Sequence, residues 1–244
     1  MSKIPQITLA FWVMKICATT LGETAGDLLS MTLHVGYAAS SLILISIFLV
    51  ALVTQLRAKA FQPALYWTVI LATSTAGTTM SDYMDRTLGL GYATGSAFLA
   101  TLLLCVLLFW RGTVGSLAVT GIQSPRVELL YWTAILVSNT LGTALGDYLA
   151  DDSGLGFAGG ALLISGLLLL VVLASLIPRV SKVALFWIAF VLTRPLGATM
   201  GDLLTKSHAK GGLDLGTVGA SATLAVILVA CVAYTSRSDE PKPA

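Results

Sequence analysis

A pattern of three residues that occurs four times constrains the fold of this chain more than any other feature. In each copy a tryptophan is followed ten residues later by a glycine and fifteen residues later by an aspartate. The four copies are Trp12, Gly22 and Asp27; Trp67, Gly77 and Asp82; Trp132, Gly142 and Asp147; and Trp187, Gly197 and Asp202. Four copies in register predict four equivalent structural units that pack against one another.

The composition places these units in a lipid bilayer. Of the 244 residues, 56% are hydrophobic and only 11% are charged, whereas soluble domains carry about 25% charged residues. The apolar residues form eight stretches, at roughly residues 5–30, 36–57, 63–84, 91–111, 127–150, 155–177, 181–206 and 214–235. Each stretch is long enough to cross a hydrocarbon core about 30 Å thick, and in lipid each must be a helix. This composition excludes a soluble enzyme and a nucleic-acid-binding protein.

Each repeat contains two of these stretches, which decides how the repeats are related. The repeats cover about residues 8–57, 63–111, 128–177 and 183–235 of one membrane domain, residues 1–244. Because each repeat crosses twice, all four enter the membrane from the same side. We therefore predict an all-α integral membrane fold of eight transmembrane helices, arranged as four parallel two-helix repeats with pseudo-four-fold symmetry about the membrane normal. Nested two-fold symmetry is the alternative, since the first and third repeats, like the second and fourth, are offset by 120 residues.

A second glycine marks the turn between the two helices of each repeat. It follows the aspartate by nine residues in the first three repeats, at Gly36, Gly91 and Gly156. In the fourth repeat the distance is fourteen, to Gly216, which predicts an insertion near residues 208–212. This spacing offers one structural explanation for the aspartates, as caps of the turn or of the second helix.

Basic residues are distributed unevenly between the two ends of the predicted helices. The side with both termini carries Lys3, Arg57, Lys59, Arg111, Arg126, Arg179, Lys182, Arg237 and Lys242. The other side carries Arg86, Lys206 and Lys210, together with several aspartates. Since basic residues concentrate in cytoplasmic loops, this asymmetry predicts that both termini are cytoplasmic.

The repeated unit, with its fixed tryptophan, glycine and aspartate and two spans in each copy, resembles a known family. It is similar to the bacterial membrane proteins that contain a repeat of unknown function, usually called uncharacterised membrane-anchored proteins. The resemblance covers about residues 8–235. It implies a four-repeat, eight-span protein of the bacterial inner membrane and implies no established activity, so the function has to be predicted from the residues.

The first helix of each repeat carries one polar stripe that ends in the aspartate. At 100° per residue, the aspartate shares a face with the residues three, four, seven and eight positions before it. Most of these positions hold hydroxyl side chains, while the rest of each helix is apolar. The predicted pathway-lining or gating residues are Thr20, Thr24, Thr75, Thr79, Asn139, Thr140, Arg194 and Lys15.

The carboxylates on these stripes need partners. A carboxylate inside a membrane costs about 3 kcal/mol or more unless it faces water, protein or an ion. In parallel repeats the four aspartates lie at one depth, about 22 Å beyond the tryptophans at helical rise and hence in the outer third of the span. We expect the four aspartates to form a ring, as in many cation pathways. A second, neutral ring beneath it would consist of Thr20, Thr75 and Thr140.

Three charged residues break the four-fold pattern and are therefore functional candidates. Glu23 is the only carboxylate at its position and lies one turn before Asp27, so these two side chains could hold one divalent ion. Arg194, also within a span, could supply the counter-charge of the empty site, and Glu23 could relay protons. The structural alternative is a set of buried ion pairs, Arg194 with an aspartate or Lys15 with Glu23.

The repeated glycines and tryptophans have structural explanations. The glycines belong to pairs four residues apart, such as Gly22 with Gly26 and Gly142 with Gly146. Such pairs let helices approach closely in membranes. The tryptophans lie near the predicted cytoplasmic ends, where we expect them to act as interface anchors, with a hydrophobic gate as the alternative.

Oxygen atoms dominate the candidate ligands, which suits a hard divalent cation such as Mg²⁺, Mn²⁺ or Ca²⁺. The predicted metal ligands are Glu23, Asp27, Asp82, Asp147 and Asp202. The two histidines, His34 and His208, fall in outer loops, and the three cysteines lack a metal-binding spacing.

These features predict an inner-membrane cation transporter, with Mn²⁺ as the leading substrate and proton coupling through Glu23 as an option. A monovalent cation or proton channel and a structural or sensory membrane protein are the alternatives. No nucleophile with a nearby base is evident, so we do not expect an enzyme, nor a cofactor other than the bound or transported cation. The expected partners are the lipid bilayer and a small cation. An internal ring does not require an oligomer, although a dimer is compatible with it.

Overall fold

The computed structural model describes residues 3–122 and 124–238, apart from the side chains of Arg237 and Ser238. The placement of Lys242, which entered the prediction of orientation, lies outside the described residues. Helices make up the fold, and no β-strand occurs in the described ranges. The α-helices are α1 (Leu9–Asp27), α2 (Tyr37–Arg57), α3 (Pro63–Asp82), α4 (Tyr92–Val114), α5 (Pro125–Asp147), α6 (Gly156–Ser175), α7 (Lys182–Thr205) and α8 (Thr217–Ser238).

Six of these helices, α2 and α4 to α8, are long and apolar enough to cross a membrane. The other two, α1 and α3, have 19 and 20 residues, and each carries a run of polar residues in its second half. Most of these residues are buried inside the bundle. The all-helical, multi-pass character predicted from the sequence is confirmed, while the first helix begins at Leu9 rather than near residue 5.

The first helices of the repeats, α1, α3, α5 and α7, form the inside of the bundle. Each packs against two others, in the order α1, α3, α5, α7 and back to α1. The second helix of each repeat packs mainly against the first helix of the next repeat, with α2 on α3, α4 on α5, α6 on α7 and α8 on α1. The last helix therefore contacts the first, and a single chain completes the circle.

Close contacts at the repeated glycines join the inner helices. Each glycine faces the residue three positions before the glycine of the next repeat: Gly22 lies against Ser74, Gly77 against Asn139, Gly142 against Arg194 and Gly197 against Thr19. A Cβ atom on Gly22 would lie only 2.3 Å from the Cβ of Ser74. Because two carbon atoms cannot approach so closely, only glycine fits here, and the predicted close packing is confirmed.

An irregular turn separates the aspartate of each repeat from the second helix of that repeat. In the first three repeats this is a π-helical turn, at Leu28–Thr32, Tyr83–Thr87 and Tyr148–Asp152. In the fourth repeat α7 continues to Thr205, and a short 3₁₀ helix, His208–Lys210, occupies the predicted insertion. The predicted turn glycines Gly36, Gly91, Gly156 and Gly216 have φ angles of 66° to 81°, which favour glycine over other residues. π-helical turns frequently mark functional sites.

An aromatic layer fills the bundle near the start of the inner helices. It consists of Phe11, Tyr66, Tyr131 and Phe186, the buried residues that precede the four tryptophans. The hydroxyl oxygens of Tyr66 and Tyr131 lie 2.7 Å apart. Beside this layer, Trp67, Trp132 and Trp187 are at most 5% exposed. The prediction that the tryptophans anchor in the lipid interface is wrong for these three, because they pack inside the protein.

Candidate functional site

Polar side chains of the inner helices meet near the opposite end of the bundle. The four repeated aspartates each lie at or close to the end of an inner helix and are only 2–3% exposed. We call Asp27, Asp82, Asp147 and Asp202 the aspartate layer. Residues four positions apart on a helix share a face, so the side chains one turn earlier point toward the same region. All four carboxylates are buried, and two basic side chains bring them together in pairs.

Arg86 joins two carboxylates of the aspartate layer. Its Nε lies 2.8 Å from Asp82 Oδ1, and its Nη2 lies 3.2 Å from Asp147 Oδ2. Asp82 is on α3, four residues before Arg86, whereas Asp147 is on α5. Arg86 thus links the aspartates of the second and third repeats.

Lys206 makes the equivalent connection on the other side of the layer. Its Nζ lies 2.5 Å from Asp27 Oδ2 and 3.1 Å from Asp202 Oδ1. Burial on its own would lower the pKa of the Lys206 ammonium, but the carboxylates of Asp202 and Asp27 outweigh burial and raise that pKa above its ordinary value. Lys206 is therefore charged at neutral pH and neutralises part of the layer.

Neither Arg86 nor Lys206 is among the residues predicted for the site. In the sequence both were counted only as basic loop residues that indicate the orientation in the membrane. A local signal exists, since each lies four residues after the aspartate of its repeat. The corresponding residues of the first and third repeats are Met31 and Asp151, so the pattern is two-fold rather than four-fold. The alternative that the aspartates cap the following turn is wrong for the first three repeats. The side chains of Asp27, Asp82 and Asp147 make no capping hydrogen bond to the π-helical turn that follows them.

A second cluster lies below the aspartates: three of its residues come one turn before the aspartate of their helix, and Arg194 reaches them from two turns before Asp202. The Glu23 layer consists of Glu23 on α1, Thr78 on α3, Thr143 on α5 and Arg194 on α7, all of them buried. Arg194 Nη1 lies 3.0 Å from Glu23 Oε2. Arg194 Nη2 donates to the hydroxyl oxygens of Thr78 and Thr143, both at 2.6 Å. The two hydroxyls donate in turn to Glu23 Oε2, at 3.3 and 3.2 Å.

Lys15 lies deeper still and has neutral partners. Its Nζ donates to Asn139 Oδ1 at 3.4 Å and sits 4.2 Å from the centre of the Phe190 ring. Asn139 Nδ2 donates to the hydroxyls of Thr73 and Ser74, at 2.9 and 3.3 Å. The buried ion pair of the inner helices is thus Arg194 with Glu23, rather than Arg194 with an aspartate or Lys15 with Glu23.

The hydroxyl groups of the expected second ring make hydrogen bonds within their own helices. Thr20, Thr75 and Thr140 donate to carbonyl oxygens of their own helices, at 2.9 to 3.2 Å. Thr79 does the same, and Thr24 accepts a hydrogen bond from Ser221 of the outer helix α8. The hydroxyls that reach the charged cluster are those of Thr78 and Thr143, because the neighbouring positions on each helix turn toward its flanks.

Three carboxylates of the two layers lie close enough together to bind one metal ion. Oxygen atoms of Glu23, Asp147 and Asp202, from three different inner helices, all lie within 4.8 Å of one another. Ligands on opposite sides of a cation are separated by twice the metal–oxygen distance, about 4.6–5.2 Å for Ca²⁺ and about 4.0–4.2 Å for Mg²⁺. The three oxygens can therefore approach a single hard cation with little or no movement of the helices.

The charges of this region do not balance. Two layers together contain five carboxylates, those of Glu23 and the four aspartates, but only three basic groups, those of Arg86, Arg194 and Lys206. With every group ionised, two negative charges remain in a buried region. A divalent cation would compensate for them.

Cys17 and the two histidines lie away from this cluster. Cys17 Sγ donates to the carbonyl oxygen of Leu224 on α8, at 3.5 Å. A ring nitrogen of His208 lies 2.9 Å from the carbonyl oxygen of Gly212, within the loop that contains both residues. His34 is exposed. The donor set of the cluster is therefore carboxylate and hydroxyl oxygen.

Comparison with known proteins identifies the repeat and leaves its activity open. No curated protein and no solved structure matches the chain. The family model described as Repeat of Unknown Function (DUF347) matches four times, at residues 10–61, 65–116, 130–181 and 185–240. These matches cover most of the chain and coincide with the four copies of the tryptophan, glycine and aspartate pattern. The chain therefore belongs to the family of membrane proteins built from this repeat.

Proposed function

We propose that this protein is an inner-membrane transporter of a hard divalent cation, with Mn²⁺ as the first candidate. The observation that carries the proposal is the convergence of Glu23, Asp147 and Asp202 within 4.8 Å, in a buried region with more acidic than basic groups. Carboxylate and hydroxyl oxygens are the ligands that Mn²⁺, Mg²⁺ and Ca²⁺ prefer. The cation is the substrate of the protein rather than a resident cofactor.

The topology that accompanies this function has eight spans. Helices α1 and α3 join the six apolar helices as spans because their polar residues face the inside of the bundle. Four parallel repeats then surround one pathway along the membrane normal. Arg86 and Lys206 occur only in the second and fourth repeats, which favours the nested two-fold form of the symmetry. The excess of basic residues near the termini places both termini in the cytoplasm.

The Glu23 layer favours a carrier over an open channel. Arg194 contacts side chains from all three other inner helices and is fully buried. A cation that leaves the aspartate layer toward the other end of the bundle meets this guanidinium first, and like charges repel strongly where water is scarce. Passage therefore requires Arg194 to move away from Glu23, which couples transport to a rearrangement of α7 against its neighbours.

Binding and transport can be tested on purified protein. In detergent, we expect Mn²⁺ to raise the melting temperature of the native protein, because a ligand that binds only the folded state stabilises it. The shift should be lost in Asp147→Asn and Glu23→Gln and kept in Asp214→Asn, which changes an exposed carboxylate. In proteoliposomes, an ion-sensitive dye should report Mn²⁺ flux through the wild type and the control variant only.

The alternatives give different results in the same experiments. Potassium flux without any divalent shift would indicate a monovalent channel. The two bases that already pair the aspartates support a structural alternative, in which no cation shifts the melting temperature and Asp147→Asn lowers it to the same extent with and without metal. Either result would overturn the proposal of a divalent transporter.

A further inference from the structure

Arg86 and Lys206 cover the carboxylates on the side of the aspartate layer that faces solvent. The side chain of Arg86 is 31% exposed and that of Lys206 is 17% exposed, whereas the carboxylates they contact are at most 5% exposed. A cation that arrives from this end therefore meets the two bases before it can touch an aspartate. The carboxylates become available only when a base moves aside.

Both bases are attached to turns rather than to the interior of the inner helices. Arg86 lies in the π-helical turn Tyr83–Thr87, and Lys206 directly follows α7. Their side chains can therefore move without a displacement of the inner helices. When Arg86 leaves the carboxylates, its guanidinium can bind the Tyr92 ring instead. The guanidinium carbon already lies 5.5 Å from the centre of that ring, a distance that permits a cation–π contact.

The charge of an incoming ion decides whether it can replace a base. A monovalent cation brings no more charge than the ammonium or guanidinium that it would displace. The base also has the advantage of being tethered, which gives it a high effective concentration at the carboxylates. A divalent cation brings twice the charge, and its attraction to each carboxylate is about doubled at the same distance. Tethered bases at this position therefore select against monovalent ions.

We propose that Arg86 and Lys206 are the specificity-determining residues of the cation site, acting as tethered competitors that only a divalent cation displaces. This inference rests on the proposed transport function and adds a role for two residues that the convergence of carboxylates does not involve. It also explains why the bases occur in two repeats only, since two bases suffice to pair four carboxylates.

The test is a competition between Mn²⁺ and K⁺ for purified full-length protein. Binding of radioactive Mn²⁺ is measured in detergent as the K⁺ concentration rises, for the wild type, the double variant Arg86→Gln/Lys206→Gln and the control Lys210→Gln. Lys210 is exposed at the same end of the bundle. In the double variant, the K⁺ concentration that halves Mn²⁺ binding should fall at least tenfold, whereas the control should match the wild type.

A double variant with the wild-type ratio of Mn²⁺ to K⁺ binding would overturn the specificity role and leave the transport proposal intact. Wild-type protein that binds no Mn²⁺ would overturn both proposals. If the double variant does not fold, the variant Arg86→Lys/Lys206→Arg is used to test the proposal, because it keeps both charges. It should retain the wild-type ratio, and a tenfold loss of selectivity in this folded variant would contradict the assignment.

Discussion

The aspartate layer and the Glu23 layer lie one helical turn apart and are built in opposite ways. In the aspartate layer the four repeats contribute the same residue, and the neutralising bases come from the turns beyond the inner helices. In the Glu23 layer the inner helices contribute one glutamate, two threonines and one arginine, and acid and base face each other within the layer. When every repeat contributes the same acidic residue, the negative charge must be compensated by basic residues outside the layer. When the repeats differ in sequence, one of them can supply the basic residue within the layer.

This difference predicts how each layer responds when a charge is removed. The Glu23 layer contains one acid and one base, so the loss of either leaves a single uncompensated charge in the interior. The aspartate layer contains more acids than bases, so the loss of an acid and the loss of a base should have unequal effects. Matched variants that each remove one charge can therefore distinguish the responses of the two layers.

The largest effect should follow the removal of Arg194. Arg194→Met leaves the Glu23 carboxylate buried without its cationic partner, and such changes cost about 3–5 kcal/mol of unfolding free energy. The double variant Glu23→Gln/Arg194→Met should recover most of this loss, because neither charge remains. Unfolding by SDS or heat in detergent gives these values, with Arg111→Met, on an exposed residue, as the control. A double variant as unstable as Arg194→Met would show that the pair does not act as a unit.

In the aspartate layer, removal of a base should cost more than removal of an acid. Arg86→Gln eliminates ion pairs with two carboxylates, one of which is also a hydrogen bond to Asp147 Oδ2, and hydrogen bonds to charged groups contribute about 1.5–3 kcal/mol. Asp82→Asn loses one ion pair but also relieves repulsion among the remaining carboxylates, so its cost should be less than half as large. The same unfolding measurement compares the two variants. Equal costs would mean that the carboxylates do not repel one another and that the region has no excess of negative charge.

The sequence predicts the elements that depend on repetition alone. Spacing accounts for the equivalent positions of the four aspartates, the turn before each second helix, the insertion in the fourth repeat and the tight glycine contacts, since equal spacing places equal residues at equal positions. For Gly22 and Gly142 the partner is a residue of the next repeat, as expected when parallel helices pack around a common axis. These are properties of one repeat and its neighbour.

What the sequence does not predict is which side of the polar stripe faces the charged cluster. Thr20 and Glu23 are three residues apart on the same stripe, yet Thr20 bonds to its own helix while Glu23 meets Arg194. The choice depends on the rotation of each inner helix, which is set by its packing against two inner helices and one outer helix. Arg86 and Lys206 pair with aspartates of other repeats, so their role requires the packing of all four inner helices.

A smaller effect should come from the glycine that supports Arg194. A Cβ atom on Gly142 would lie 2.2 Å from Arg194 Cγ and 3.1 Å from its backbone carbon, so Gly142→Ala forces α5 and α7 apart. Overpacking of this kind typically costs about 1–3 kcal/mol. Gly166→Ala on α6 is the matched control, since its added Cβ meets no atom within 4 Å. If both substitutions left stability unchanged, the contact between α5 and α7 would not hold the Glu23 layer in place.

The smallest effect should be found in the aromatic layer, where asymmetry involves no charge. Tyr66 and Tyr131 are fully buried and share one hydrogen bond of 2.7 Å, while the equivalent residues of the other repeats are phenylalanines. Tyr66→Phe removes this bond and leaves the Tyr131 hydroxyl without it, at a cost of about 1 kcal/mol of unfolding free energy.

The double variant Tyr66→Phe/Tyr131→Phe should lose less unfolding free energy than the sum of the two single variants, because no hydroxyl is left unpaired by the change. Strictly additive costs in this double-mutant cycle would show that the two hydroxyls contribute independently. In that case repeats can diverge at a neutral position without coupling, and the coupling expected between Glu23 and Arg194 would be a property of charge alone.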